Sequence, residues 1–190
     1  MYLRKLRKQD APLMLEWMHD SSVTKDLQTD FESKTIEDCE EFIENSLLDV
    51  HNLHLAISDE SDTYQGTVSL KNICHSTAEF AITVRTSAMG RGIAAEAMDK
   101  IIELAFEEKE LKAVYWCVSP NNKRAVRFYD KNGYHRVPSE TQILGGVQRI
   151  TDSQILLVSH HKRGKEEQNL QIVSWIKKLN TDILFLHSVA

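Results

Sequence analysis

The stretch Arg85 to Met98, RTSAMGRGIAAEAM, holds the first residues whose spacing suggests chemistry. Gly90 and Gly92 flank Arg91, and an apolar, alanine-rich run begins at once with Ile93 and Ala94. A helix starting there leaves backbone N–H groups without partners and carries partial positive charge, which suits an anion. The two glycines let the backbone approach a phosphate with no Cβ in the way. The same spacing also serves as a plain turn into a helix, so the loop alone leaves both readings open. GRGIAA further fits the dinucleotide fingerprint G-x-G-x-x-A. That fingerprint requires a tight turn directly off a parallel strand and an acidic residue ending the next strand. Here RTSAM separates Val84 from Gly90, and Glu110 precedes the following strand instead of ending it. The dinucleotide reading is excluded on both counts.

The segment SPNNKRAVRFYDKNGY supplies a second constellation, with Asn122, Ala125, Tyr129 and Gly133-Tyr134 in the order N-x-x-A-x-x-x-Y-x-x-x-G-Y. Joined to AEFAITV and GRGIAAEA, it resembles the GCN5-related N-acetyltransferases (GNAT), which move acetyl from acetyl-CoA to an amine. The resemblance covers about residues 1 to 160 and implies a central, mostly antiparallel twisted sheet flanked by helices. It implies that Met89, Gly90, Arg91, Gly92, Ile93 and Ala94 form the loop that holds the CoA pyrophosphate. Met89 stands where the family usually has Gln or Arg, and Arg91 is the charge available to compensate. Asn122, Ala125 and Phe128 are implied as further CoA-binding positions.

Direct transfer needs an amine stripped of its proton and a donor for the departing thiolate. Tyr129 matches the family's general acid. Glu79 matches a position where relatives carry a glutamate acting directly or through water. It alternates away from Phe80, Ile82 and Val84, and a structural ion pair is its other reading. Backbone N–H groups at Ile82 and Val84 match the family's donors to the tetrahedral oxyanion. Cys117 is not needed as a nucleophile.

The elements that must position these groups follow from periodicity. YLRKL suits a first strand, and Asp10 with Pro12 opens a helix carrying Leu13, Met14 and Trp17. Thr35 and Asp38 form a capping box ahead of Ile36, Cys39, Phe42, Ile43 and Leu47 at helical spacing. The period then changes to two: Leu53, Leu55, Ile57; Tyr64, Gly66, Val68, Leu70; Ala78, Phe80, Ile82, Val84. These predict a three-strand antiparallel meander. Ile93 to Phe106 predicts a long amphipathic helix, KAVYWCVS a strand buried on both faces, and NNKRAVRFYDKNG a short helix with Gly133 as left-handed cap. YHRV and QILLVSH are the last strands. The order defines an α+β, or mixed α/β, domain over residues 1–160. A C-terminal extension over 161–190 follows the charged KRGKEEQ. Its apolar NLQIVSWIKKLNTDILFLHSVA is expected to cover the core, with homodimerisation as the alternative.

Composition narrows the partners. A net charge of −5 and 42% hydrophobic residues suit a soluble globular chain and argue against nucleic acid as a general partner. MYLRKLRKQD lacks the apolar run of a signal peptide, and no stretch approaches a membrane span. Cys39, Cys74 and Cys117 are scattered, and His160-His161 is the only histidine pair, so neither a metal nor a disulfide is expected, and the location is expected to be cytoplasmic.

For the acceptor, the opening L-R-x-L-x-x-x-D (Leu3 to Asp10) with a tryptophan in the first helix looks like the RimJ/RimL-type branch. That branch acetylates protein N-termini, polyamines or amino sugars. Asp20 to Glu44 carries nine acidic residues against Lys25 and Lys34. This favours a cationic acceptor such as a polyamine or a peptide N-terminus, or else is a solvated helix face. Trp17 is read as a wall of the acceptor pocket or as core. An amino-sugar acceptor and a non-catalytic acetyl-CoA-binding module are the remaining alternatives.

Overall fold

A computed structural model describes residues 1–27, 29–74, 76–136 and 155–160. Within the span expected to be one domain, the chain divides into two compact units, Met1–Val114 and Tyr115–Ala190. The 161–190 extension lies outside the described residues.

The first unit is built on four consecutive antiparallel strands: β1 (Tyr2–Lys5), β2 (Leu53–Ser58), β3 (Tyr64–Cys74) and β4 (Thr77–Val84). The meander therefore has one strand more than expected, because the N-terminal strand pairs beside β2. Register sets the apolar rows: Leu55 faces Val68, which faces Ile82, and Leu53 lines up with Leu70 and Phe80. On this face packs α4 (Ile93–Glu107), whose Ala97, Met98, Ile101 and Ala105 are buried. Complete burial of Met98 and of Ile101 contributes about 1.5–3 kcal/mol each. Gly66 is required here by close approach, since a Cβ would lie 2.3 Å from the Thr83 carbonyl oxygen and 2.8 Å from Val84 Cα.

Tyr64 breaks the simple alternation. A register shift at Ile57/Ser58 places it opposite Ser58, which puts its ring on the same face as Thr67. That second face carries α1 (Ala11–Met18), the single turn α2 (Ser21–Thr24) and α3 (Ile36–Ser46). Their core joins Met14, Trp17, Val23, Cys39 and Ile43 to Ala56 and Tyr64. The Thr35–Asp38 capping box forms as expected: the Thr35 N–H donates to Asp38 at 2.8 Å, and the Asp38 N–H to the Thr35 hydroxyl at 3.3 Å. Those bonds hold the Asp38 carboxyl below its ordinary pKa. Asp10 behaves differently from expectation. It precedes α1, but its buried carboxylate makes no cap; it accepts two bonds from Arg4 (2.7 and 2.8 Å) and one from the Arg7 N–H. Arg4 also bonds Asp62, so the Leu3-Arg4…Asp10 opening is a clamp tying β1, the turn before α1 and the β2–β3 link.

β5 (Ala113–Val118) begins in the first unit and continues into the second. The second unit holds α5 (Lys123–Lys131) and the antiparallel pair β6 (His135–Arg136) and β7 (Ile155–His160). Asn122 caps α5 by accepting from the Ala125 N–H at 3.0 Å. At the other end Gly133 adopts φ +74°, its N–H bonds the Asp130 carbonyl, and the Tyr134 N–H bonds the Tyr129 carbonyl. This is a Schellman termination, as the position of Gly133 led us to expect. Its accompanying side-chain contact is between the rings of Tyr129 and Tyr134.

Candidate active site

The loop between β4 and α4 is anchored at its start. The Arg85 N–H donates to the Gln65 carbonyl, and its guanidinium grips both oxygens of Glu16 (3.0 and 2.8 Å) and reaches the Tyr64 carbonyl. The Thr86 hydroxyl donates to Asp20 at 2.5 Å, fastening the loop to the α1–α2 corner. Ala88 is buried, and Met89 packs against the α1–α3 core. Met89 thus anchors the loop by packing, where the family usually has a polar side chain.

Beyond this anchor Gly90 and Gly92 take φ +75° and +78°, a region that L side chains enter at a cost. No protein atom lies within 4 Å of where a Cβ would sit on either glycine. Backbone conformation and open space, not crowding by the chain, therefore call for glycine. The first helical bonds of α4 run from the Ala95 and Glu96 N–H groups to the Gly92 carbonyl. The N–H groups of Ile93 and Ala94 precede those bonds and face out of the helix end. Gly92 offers no side-chain cap, and Arg91 is exposed beside it. The result is a rigidly held, uncapped N-terminus of a 15-residue helix, suited to a phosphate.

Along β4 the Arg85–Gln65 bond fixes the parity of the ladder. Odd-numbered residues turn their N–H groups toward β3, so those of Ile82 and Val84 point to the opposite edge, where β5 is the neighbouring strand. Glu79 stands directly across from Lys71 and forms an ion pair at 3.1 Å; its second oxygen accepts from Asn72 at 3.1 Å. Both oxygens are thus engaged. Trp17 is 5% exposed, and its indole N–H donates to the Tyr64 hydroxyl, which in turn bonds Thr67. That places Trp17 in the core.

In the second unit Tyr129 is 8% exposed, in a ring cluster with Trp116 (5.5 Å), Phe128 (5.2 Å) and Tyr134 (6.2 Å). Burial raises the phenol pKa above its ordinary value, so the hydroxyl remains a proton donor through the neutral range. The Ala125 N–H is taken by the Asn122 cap, so of these two residues the Asn122 amide N–H₂ is the donor left over. Sequence reasoning did not single out the Glu16–Arg85 clamp, Lys71, or the His54–Ser69 hydrogen bond at 2.8 Å. Each is a pairing of residues distant in sequence. The only signal available was that His54 and Ser69 alternate away from the apolar rows.

Residues 1–135 match the family described as Acetyltransferase (GNAT) domain. The chain belongs to the GNAT acetyltransferase family. Among solved structures, it is similar to the spermidine N-acetyltransferase of Vibrio cholerae in complex with CoA and spermine. The TM-score is 0.67 at 19% identity, covering 83% of this chain and 92% of that one. A dodecameric form of the Vibrio cholerae enzyme gives a TM-score of 0.62 at 19% identity, covering 84% and 92%. These likenesses bear out the mixed α/β GNAT fold. A Kanamycin resistance protein from Rhizobium radiobacter is 34% identical over 50 residues, 26% of this chain, and the match spans 46% of that protein. Among the described residues there is no group of His, Cys, Asp and Glu that would hold a metal. No described helix is long and apolar enough to cross a membrane.

Proposed function

We propose that this GNAT protein is an acetyl-CoA-dependent N-acetyltransferase whose acceptor is a cationic, polyamine-like primary amine, attacked directly in a ternary complex. The observation that carries the reading is the loop at the start of α4: two positive-φ glycines on an anchored turn, open to solvent, at an uncapped helix end. The pyrophosphate of acetyl-CoA suits that site, with Gly90 to Ala94 as backbone donors and Arg91 as added charge. The N–H groups of Ile82 and Val84 that point away from β3 are the donors for the oxyanion. Tyr129, kept protonated by burial, is the acid for the departing thiolate.

For the acceptor, Glu37, Glu41 and Glu44 recur at helical spacing along α3, and all three are exposed. This acidic face favours a cation, and the similar Vibrio cholerae structures are of a spermidine N-acetyltransferase. The RimJ/RimL-type opening carries less weight for the acceptor, because the Arg4–Asp10 clamp accounts for its spacing by structural need alone. We further place the protein in the cytoplasm, a reading supported by three cysteines that form no disulfide.

The test is release of CoA thiol from acetyl-CoA across spermidine, peptide N-termini and amino sugars. The expected result is turnover strongest with the polyamine. Preference for an amino sugar would overturn the acceptor assignment. Acetyl-CoA binding with no turnover on any amine would overturn catalysis in favour of a binding module. Light scattering on the same sample separates a homodimer from a larger assembly of the kind named for the Vibrio cholerae enzyme.

A further inference from the structure

We infer that the His54–Ser69 pair on the helix-covered face of the sheet accepts the proton shed by the acceptor amine. The inference rests on the acetyl-transfer reading above.

Register places the groups. His54 on β2 lies directly across from Ser69 on β3, and Ser69 directly across from Ala81 on β4, so the three form one row. Strands about 4.8 Å apart put Ser69 midway between the imidazole and the space over Ala81. The His54 Nδ1–Ser69 Oγ hydrogen bond is 2.8 Å. Ala81 presents only a methyl group, and the next residue, Ile82, carries one of the N–H groups assigned to the oxyanion. Along this face of β4, Glu79, Ala81 and Thr83 are half-exposed, whereas Ser69 is 5% exposed. The floor over Ala81 is thus reachable, with a buried hydroxyl at its inner margin.

The other titratable groups on the face are committed elsewhere. Glu79 is held by Lys71 and Asn72, and the Tyr64 hydroxyl by Trp17 and Thr67. α3 contributes the Phe42 ring, edge-on to the imidazole at 4.9 Å. Burial lowers the His54 pKa below its ordinary value; Asp49 opposes that shift and Lys71 adds to it. The imidazole is therefore neutral at pH 7 and free to accept.

In the Nε2–H tautomer the proton balance closes. As the amine nitrogen bonds the acetyl carbon, its N–H bond breaks toward Ser69 Oγ, and the Ser69 proton passes to Nδ1, leaving imidazolium. The amine attacks from the small neutral fraction of an ammonium with pKa near 10.4, and bonding to the acetyl carbon makes its nitrogen strongly acidic, so a weak base suffices to take the proton then shed.

The test uses the full chain with spermidine and acetyl-CoA. His54→Asn is expected to lower kcat about 100-fold, with KM for acetyl-CoA unchanged. It should also abolish the low-pH limb of kcat/KM, along which the wild-type rate rises as the imidazole loses its proton. Ser69→Ala, read in parallel, should lower kcat at least tenfold, and keeps the inference testable if His54→Asn fails to fold. A His54→Asn rate within threefold of wild type with its limb intact would overturn the inference. So would loss of that limb in Glu79→Gln alone. Wild-type inactivity toward every amine would instead remove the acetyl-transfer reading, and this one with it.

Discussion

Gly66 and Gly92 are both glycines next to functional backbone, yet the structure assigns them opposite consequences. At Gly92 an added Cβ meets no protein atom within 4 Å, but a valine there must hold φ near +78°. The left-handed region costs an L residue about 1–2 kcal/mol, and a β-branched one at the upper end. If the loop relaxes to escape that strain, its N–H groups turn from the phosphate. Losing even one charge-assisted bond of about 1.5–3 kcal/mol weakens binding roughly 10- to 100-fold. Gly92→Val should therefore fold with a modest loss of stability and bind acetyl-CoA at least tenfold more weakly. Gly66→Ala should do the reverse. Its Cβ would lie 2.3 Å from a backbone oxygen across the β3–β4 ladder, so the strands must part, at about 1–3 kcal/mol. Calorimetric titration with acetyl-CoA, beside thermal unfolding of both variants, measures the contrast. Wild-type affinity in a folded Gly92→Val protein would refute the phosphate-cradle argument.

Tyr129→Phe should lower kcat about 10- to 100-fold while acetyl-CoA affinity stays within twofold; steady-state rates with a parallel titration decide it, and an unchanged rate removes Tyr129 from the mechanism. Asp10→Ala should cost about 3 kcal/mol in a denaturant titration, the lower end for breaking a buried pair, because Arg4 Nε keeps its bond to Asp62. A loss below about 1 kcal/mol would show that the clamp is not structural.

Much of the site's local geometry is legible in the residue order alone. The Thr35–Asp38 box, the Gly133 termination and the Asn122 cap each depend on residues a few positions apart, so the chain's own spacing dictates them. The loop glycines belong with these, since a positive φ is a property of one residue and its neighbours. The apolar rows of β2, β3 and β4 are likewise readable, because a period of two encodes a face without reference to a partner.

What pairs across the sheet is not readable in the same way. Tyr64 alternates in phase with Gly66 and Val68, and only the register shift at Ile57/Ser58 turns it to Trp17 and Thr67. Asp10 reads as a helix cap, but a buried Arg4 outcompetes the α1 N–H groups for its carboxylate. For Glu79, the ion pair stays open beside the favoured reading as base until the ladder sets Lys71 opposite it, and the same ladder sets Ser69 between His54 and Ala81. Sequence by itself determined the longer elements, the Thr35, Asn122 and Gly133 terminations and the GNAT motifs, because these are short-range consequences of dihedral preference and periodicity. Tertiary structure alone decided which charged and polar groups are already satisfied and which remain able to react, because strand register is a long-range choice and one residue of slip exchanges every partner.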